Sequence, residues 1–223
     1  MLVATEARST FVRDLMRWGA QNRRAFPWRE TADPFRVLVA EILLQRSRGR
    51  TVATVYRELF RRWPDALALS RARTATIASV IRPLGLVKRA ETLRALGAEV
   101  ARLGGVPDTL DGLLALPGVG RYAASATLAV SFDTRAPVVD GVSARVYRRY
   151  FGLVSDRPAP PDDELWALVE DVTPGRHVRE WNWAVLDLAA TVCLPKLPRC
   201  MECPLRTRCA WSRGSASPVG VRC

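Results

Sequence analysis

The sequence predicts an all-α protein. Apolar residues recur at three- and four-residue spacings along most of the chain, which is the spacing of one face of a helix. No stretch alternates convincingly between apolar and polar residues, as a half-buried strand would. Turn signals that contain proline and glycine separate the apolar segments, so we expect about ten short helices.

The helical spacing can be followed along the chain from the N-terminus. The residues that carry it are Phe11, Leu15 and Trp18, then Val37, Ala40, Ile42 and Leu44, then Val55, Leu59 and Phe60, and then Leu93, Leu96 and Val100. The turn signals lie at 63–65, 83–85, 104–107 and 158–161. No apolar run approaches the length of a membrane span, roughly 18 residues or more. The N-terminal segment does not resemble an export signal, so we expect a cytoplasmic protein without membrane contact.

The length and composition are those of a globular protein. The chain has 223 residues, of which 48% are hydrophobic and 25% charged, enough for one large domain or two small ones. We expect residues 28–132 to form one helical domain. Residues 1–27 and 133–211 should form a second, because neither piece alone could bury a core. The segment 212–223 is predicted to be a disordered tail.

The net charge of +12 is carried almost entirely by arginine, since Lys88 and Lys196 are the only lysines. Part of this composition reflects genomic base bias, because alanine, valine and leucine are also abundant. A merely basic surface is one interpretation. The other is a polyanion-binding face, because the arginine fork matches phosphate oxygens. Charge alone does not distinguish DNA from RNA.

The most informative stretch is the string Leu-Pro-Gly-Val-Gly-Arg-Tyr-Ala-Ala that begins at Leu116. We expect a helix to end near Leu116 and a helix of small residues to begin near Arg121. The turn between them contains Gly118, Val119 and Gly120, and glycine permits close approach to the backbone. Main-chain N–H groups at the start of the second helix would bind a phosphate. Many helical hairpins use glycine without a ligand, so a bare Gly-x-Gly would not decide the question.

The complete string resembles the DNA-binding hairpin of the endonuclease III and MutY glycosylases, in the helix-hairpin-helix (HhH-GPD) superfamily. The resemblance continues in Pro-Val-Val-Asp-Gly at 137–141, Phe-Pro-Trp-Arg at 26–29 and Ala-Glu-Ile-Leu-Leu-Gln-Arg-Ser at 40–47, and it covers about residues 10–211. In chain length and in the sequences of its motifs, the chain is most similar to the thymine–guanine mismatch glycosylases known as MIG. The resemblance implies a six-helix domain and a second helical domain, built from both terminal segments, with an iron–sulfur cluster loop.

Four cysteines lie close together near the C-terminus. They are Cys193, Cys200, Cys203 and Cys209, in the spacing C-x6-C-x2-C-x5-C. In a cytosolic chain this pattern argues against a disulfide framework, and thiolates so spaced can hold one metal centre. Zinc is the alternative metal, although zinc sites usually combine two CxxC motifs and this sequence contains only one. The resemblance implies that these cysteines hold a 4Fe-4S cluster, which would pin a basic loop against the DNA backbone.

Asp140 and Glu41 are the candidate catalytic carboxyl groups. Hydrolysis of a glycosidic bond needs a carboxylate near the cationic sugar and an acid near the leaving group. The resemblance assigns Asp140 to the first role, although aspartate ahead of Ser143 could equally be a helix cap. It places Glu41 at the flipped base. The apolar surroundings of Glu41 leave two explanations, a pocket residue with a raised pKa or a buried partner for arginine.

Tyr122 occupies the position at which bifunctional relatives of endonuclease III carry a Schiff-base lysine. A phenol cannot form that imine, so the resemblance implies a monofunctional glycosylase that leaves an abasic site intact.

One position departs from the family pattern. Val142 stands two residues after Asp140, where the families mostly carry a polar residue, often asparagine. This departure puts the catalytic geometry and the transfer of substrate from the family in question.

The target base must leave the stack before it can be excised, and another side chain must fill the gap. Leu86 matches the intercalating wedge of the family, and an ordinary core leucine is the alternative. Lys88, in the same segment, is assigned to DNA contact. Gln45 and Arg46 match the gap filler and the reader of the partner strand, because a guanidinium fork can hydrogen-bond a guanine edge.

The expected function is excision of thymine, or uracil, opposite guanine in double-stranded DNA, by a monomer. The sequence ends soon after the cysteine motif, so we expect the protein to lack the additional domain with which MutY enzymes recognise 8-oxoguanine. An alternative is adenine excision opposite guanine or 8-oxoguanine, which Glu41 and Tyr122 suit equally well. An alternative of another class is a non-catalytic lesion-sensing DNA-binding protein. The presence of both Asp140 and Glu41 argues against this alternative.

Overall fold

The computed structural model describes residues 5–85, 87–153 and 163–214. Within these ranges the chain forms α-helices and short 3-10 turns and no strand, which confirms the predicted all-α class. The helices are α1 (Thr5–Asn22), α2 (Pro34–Leu44), α3 (Gly49–Arg62), α4 (Ala66–Ser70), α5 (Thr74–Ile81), α6 (Arg89–Leu103), α7 (Leu110–Leu114), α8 (Arg121–Ser131), α9 (Ser143–Phe151), α10 (Asp163–Val172) and α11 (Val178–Thr191). The 3-10 turns are Pro27–Arg29, Arg82–Leu84, Cys200–Glu202 and Arg206–Arg208.

The chain divides into two compact units, each with its own core. One consists of Met1–Arg24 and Arg135–Cys223, and is called the terminal unit below. The other, Ala25–Thr134, is the central unit. Each of the helices in the part of the chain that the structure describes is too short or too polar to cross a membrane.

The centre of the central unit is α2, a helix that is apolar on most of its surface. Its start is fixed by Asp33, whose Oδ1 accepts hydrogen bonds from the main-chain N–H groups of Phe35 (2.9 Å) and Arg36 (3.2 Å). Pro34 occupies the first turn, where its missing N–H and fixed φ are favourable. The helix packs against α3, α6 and α8, so seven of its residues are buried.

The terminal unit is built around α1 and α11. The two helices cross closely at Gly19, where a Cβ atom would lie 2.5 Å from the Cβ of Ala184. Phe11 packs its ring against Tyr150 of α9 at a centroid distance of 4.6 Å, and Trp181 is fully buried. The N-terminal helix is therefore an integral part of the C-terminal core.

A partly buried ion pair links the segment that follows α1 to α11. The carboxylate of Asp187 is 1% exposed and accepts a 2.6 Å hydrogen bond from Nε of Arg24. Its second oxygen accepts the main-chain N–H of Arg24 at 3.1 Å. The two bonds hold both the backbone and the side chain of Arg24, the last residue of its segment in the terminal unit.

Candidate DNA-binding and catalytic site

The hairpin predicted around Leu116 is present in the central unit, between α7 and α8. The chain turns through a hydrogen bond from the N–H of Val119 to the carbonyl of Leu116, at 3.2 Å. Both of these side chains are buried in the core, at 8% and 3% exposure. Gly118, Gly120 and Arg121 are exposed. Any contact that Leu116 and Val119 make with DNA must therefore use their main chain, whereas the glycines and Arg121 are accessible.

Gly118 is required by the backbone and by its neighbour. Its φ angle is +75°, in the left-handed region that side chains disfavour. A Cβ atom there would lie 2.2 Å from Cγ2 of Thr92. Gly120 is the N-cap of α8, offers no side chain to cap the helix, and has open space around its Cα. The positive end of the α8 dipole is thus left accessible to a phosphate.

The α2–α3 loop (residues 45–48) lies beside this hairpin. Gln45 and Arg46 are both exposed, and Nε2 of Gln45 donates a 3.4 Å hydrogen bond to the carbonyl of Gly118. The structure therefore brings two groups of predicted DNA-contacting residues together. Arg46 adopts a φ of +56°, which is uncommon for a residue with a side chain.

Arg89, at the start of α6, is a residue of this region that the sequence analysis did not single out. Only 9% of it is exposed. Its Nη1 donates to the carbonyl of Leu43 at 3.0 Å and to Oγ of Ser47 at 3.2 Å, and its Nη2 donates to the carbonyl of Gln45. Burial, followed by the nearby Arg46 charge, lowers the pKa of Arg89. No local pattern marks it, because it is one arginine among many and its partners lie more than 40 residues away.

The predicted wedge segment is described in part. Lys88 is exposed and occupies the N-cap position of α6, so its ammonium group is accessible to DNA. Leu86 lies outside the described residues. Its assignment as the wedge stays a prediction.

Glu41 and Tyr122 both belong to the central unit, on helices that pack against one another. Glu41 is half-buried on α2 between the buried residues Ala40 and Ile42, and its Oε2 atom is inaccessible to solvent. Tyr122 is half-buried in the first turn of α8, directly after the hairpin. The shielded oxygen of Glu41 is compatible with both explanations raised from the sequence, a pocket carboxyl group and a buried partner of arginine.

Asp140 belongs to the terminal unit and lies just before α9. Its Oδ1 accepts hydrogen bonds from the N–H groups of Val142 (3.0 Å) and Ser143 (2.7 Å). Oγ of Ser143 in turn accepts from the N–H of Asp140 at 2.8 Å. The capping geometry considered from the sequence is therefore present. It occupies Oδ1, and Oδ2 takes part in neither bond, so capping and catalysis are compatible in one side chain.

The side chain of Val142 provides no polar group to this turn. Its main-chain N–H donates a hydrogen bond to Oδ1 of Asp140, and the residue is 40% exposed.

Tyr147 of α9 is fully buried, and its pKa is raised by burial and by the charge of Asp140. The phenol of Tyr147 is therefore neutral at physiological pH.

The four cysteines of the predicted cluster loop line one cavity of about 30 Å³ in the terminal unit. The thiols of Cys193, Cys203 and Cys209 are free, and all four cysteines are half-buried. Within residues 5–85, 87–153 and 163–214, no group of three or more His, Cys, Asp or Glu side chains is arranged to hold a single metal ion. The predicted ligands thus share a cavity.

Hydrogen-bond donors surround the sulfur atoms of this cavity. Burial raises the pKa of the Cys203 thiol to about 11, and it also raises the pKa of Cys209. Main-chain hydrogen bonds from Leu205 to Cys203, and from Trp211 and Ser212 to Cys209, oppose this shift. Such donors stabilise thiolates and tune iron–sulfur clusters, so the chemistry of the cavity fits a thiolate-bound centre.

Two arginines of α9 hold the segment that begins the cluster loop. Arg145 donates to the carbonyls of Cys193 and Ala189, both at 2.8 Å. Arg149 donates to the carbonyl of Leu194 at 2.7 Å and reaches Sγ of Cys193 at 3.5 Å. The cluster loop is therefore anchored on the helix whose start is capped by Asp140.

Comparison with known proteins identifies the family. The family model described as "HhH-GPD superfamily base excision DNA repair protein" matches residues 39–171. The chain belongs to the HhH-GPD superfamily. The match runs from Val39 in α2 to Asp171 in α10, and so includes Glu41, the hairpin and Asp140. The resemblance inferred from the sequence motifs is confirmed.

Superfamily relatives match over most of their length. A thymine/uracil-DNA glycosylase of Pyrobaculum aerophilum is 37% identical, over 86% of each chain. An adenine DNA glycosylase of Mycobacterium tuberculosis is 35% identical over 92% of this chain and 68% of its own. Among solved structures, a thermostable thymine-DNA glycosylase superposes with a TM-score of 0.89 at 33% identity, covering 94% of this chain and 98% of that one. Endonuclease III in a non-covalent complex with DNA, at a TM-score of 0.78 and 23% identity, supports the fold alone.

Proposed function

We propose that this DNA glycosylase is monofunctional and excises thymine, or uracil, from mismatches with guanine in double-stranded DNA. The observation that carries the proposal is the similarity to proteins named thymine/uracil-DNA glycosylase. That of Methanothermobacter thermautotrophicus is 34% identical over 92% of this chain and 94% of its own. The match covers most of the length of such relatives and includes the hairpin and the candidate carboxyl groups.

The chemistry is divided between two carboxyl groups. Oδ2 of Asp140, which takes part in neither of the capping bonds of Oδ1, stabilises the cationic sugar and orients the attacking water. Glu41, with one oxygen shielded from solvent, donates a proton to the departing base. The capping bonds hold the Asp140 carboxylate in one rotamer, which lowers the entropy lost on reaching the reactive geometry.

The absence of lyase activity follows from the residue at position 122. The bifunctional route forms an imine between an amine and the sugar, and Tyr122 has no amine. The only lysines of the chain are Lys88 and Lys196, and neither adjoins Tyr122 in sequence. The product is therefore an abasic site in an intact strand.

The cofactor in this proposal is a 4Fe-4S cluster held by Cys193, Cys200, Cys203 and Cys209. Each cysteine of a four-iron cluster binds its own iron, so the sulfur atoms lie farther apart than the ligands of a single ion. Three free thiols and the sulfur of Cys200 face one cavity, which supports the proposal. The group would stabilise the loop between α11 and the C-terminus. Iron and acid-labile sulfide in anaerobically purified protein test it, with about four of each per chain expected.

Adenine excision is the second candidate. The adenine DNA glycosylase of Mycobacterium tuberculosis is as similar in identity, at 35%, as the thymine/uracil relatives. That protein extends beyond the match, since this chain covers 68% of its length. The region shared with it includes the positions of Glu41 and Tyr122, which do not discriminate between the two bases.

A panel of labelled duplexes tests the proposal. The duplexes carry T·G, U·G, A·G or A·8-oxoguanine pairs, with matched controls, and alkali is added in a second step to cleave abasic sites. Strand cleavage of T·G and U·G only after alkali is the expected result. Release of adenine alone would replace the proposal by the adenine-specific function. Release from none of the duplexes, with retained binding, would favour a lesion-sensing role.

A further inference from the structure

Arg89 forms an unusual C-terminal cap on α2. The last carbonyls of a helix have no partner within the helix and favour a cation. Arg89 reaches the carbonyl of Leu43, inside the last turn, and the carbonyl of Gln45, just beyond it. Its third bond, to Oγ of Ser47, lies on the far side of Arg46. One guanidinium therefore spans the loop at three points, which a lysine ammonium cannot do in the same planar geometry.

The loop that Arg89 spans is strained. Arg46 has a φ of +56°, although it carries a side chain. Such a conformation persists when the surrounding contacts over-determine it, and it concentrates at functional sites. Arg89 contacts the residues on both sides of Arg46, Gln45 and Ser47, and it reinforces the bond within the loop from the N–H of Ser47 to the carbonyl of Leu44 at 3.0 Å. The two guanidinium groups are close enough to repel one another, which favours an outward position for the exposed Arg46 side chain.

The same loop is tied to the hairpin. Nε2 of Gln45 donates to the carbonyl of Gly118, while the carbonyl of Gln45 accepts from Arg89. Gly118 in turn sits against Thr92, one turn after Arg89 on α6. The first turn of α6 thus contacts the loop and the hairpin, and all of these contacts lie in the central unit.

We propose that Arg89 is a positioning residue that holds the α2–α3 loop in the conformation presenting Gln45 and Arg46 to the base left unpaired in DNA. Arg89 is itself too buried to contact a phosphate, so its effect is on selectivity for that base. The inference rests on the proposed function, because it takes the loop to read the opposite guanine.

The test measures binding to two duplexes that carry a tetrahydrofuran abasic analogue opposite either guanine or adenine. No base can be excised from either duplex, so the ratio of dissociation constants reports the reading of the orphaned base without catalysis. Arg89→Met keeps the side-chain length and removes the guanidinium. It is expected to reduce the preference for guanine by about tenfold, the order of discrimination that one fork contact to guanine provides. Arg94→Met, on the exposed face of the same helix, is the matched control and should leave the preference unchanged.

Salt dependence separates positioning from phosphate binding. Loss of one phosphate contact lowers the slope of log K against log salt by about 0.9. Arg89→Met should leave this slope unchanged while the base preference falls. A fall in slope with the preference retained would overturn the inference.

Arg89→Lys keeps the positive charge but replaces the planar guanidinium fork by an ammonium group with one nitrogen. It is the variant to use if Arg89→Met does not fold. It is expected to fold and to show a weaker preference for guanine than the wild type. A wild-type preference in the folded lysine variant would contradict the requirement for the fork. Failure of the proposed function can be distinguished from failure of this inference, because the binding assay does not require base excision. If the wild-type protein excises no base but prefers the analogue opposite guanine, the inference stands. A wild type with no preference would overturn it.

Discussion

Substitution of Gly118 by alanine tests how the hairpin is built. The added Cβ atom would lie 2.2 Å from Cγ2 of Thr92, while the other nearest atoms, Cδ1 of Ile42 and Cβ of Thr92, would be 3.6 and 3.7 Å away. Only the first distance is a clash. The backbone at this position also has a φ of +75°, which alanine disfavours.

The two effects give a magnitude for the loss of stability. A left-handed conformation costs a residue with a Cβ about 1–2 kcal/mol. Overpacking against Thr92 adds about 1–3 kcal/mol. The lower entropy of alanine in the unfolded chain offsets about 0.4–1 kcal/mol of this sum. We therefore expect Gly118→Ala to lower the free energy of unfolding by about 2–4 kcal/mol.

Urea denaturation of a double-mutant cycle with Thr92→Ala separates the two effects. Thr92→Ala removes the clashing Cγ2 atom and leaves the backbone strain. In that background Gly118→Ala should cost only about 0.5–1.5 kcal/mol, which is the contribution of the φ angle less the entropy offset. The reasoning is refuted if Gly118→Ala costs less than about 0.5 kcal/mol, or if its cost is the same with and without Thr92.

Further predictions concern the ion pairs and the carboxyl groups. Asp187→Asn should lower the free energy of unfolding by about 2–3 kcal/mol, less than for a fully buried pair because Arg24 is 36% exposed; an unchanged urea midpoint would contradict this. Glu58 accepts hydrogen bonds from Arg61 and Arg62, which lower its pKa to about 2. Its pair therefore stabilises the fold above the unfolded pKa and stops doing so as the pH falls towards 2, and a carboxyl resonance that titrates near pH 4.5 would exclude the pairing. Asp140→Asn should keep the cap through its amide oxygen and leave stability unchanged, whereas Asp140→Ala should cost about 1 kcal/mol; equal unfolding midpoints of the two variants would rule out the cap.

The sequence predicted the parts of the fold and the site that depend on local chemistry. The glycines at 118 and 120 predicted the end of α7 and the start of α8 to within two residues, because a turn between helices needs a residue that accepts unusual backbone angles. The string around Asp140 allowed a cap and a catalytic carboxylate, and the structure shows how one oxygen serves the cap.

Contacts between distant segments were not predictable from the sequence. Arg89 belongs to a chain rich in exposed arginines, and only the fold brings its side chain to the end of α2. The pair of Arg24 with Asp187 joins residues 163 positions apart. The burial of Leu116 and Val119, which limits any DNA contact of theirs to the main chain, likewise depends on how the hairpin packs.

The most direct test of the central claim is a single-turnover reaction on a T·G duplex, sampled with and without alkali. Wild-type protein is expected to release thymine and to give strand cleavage only after alkali. Asp140→Asn should bind the same duplex and release no base. Strand cleavage without alkali, or thymine release by Asp140→Asn at the wild-type rate, would contradict the account.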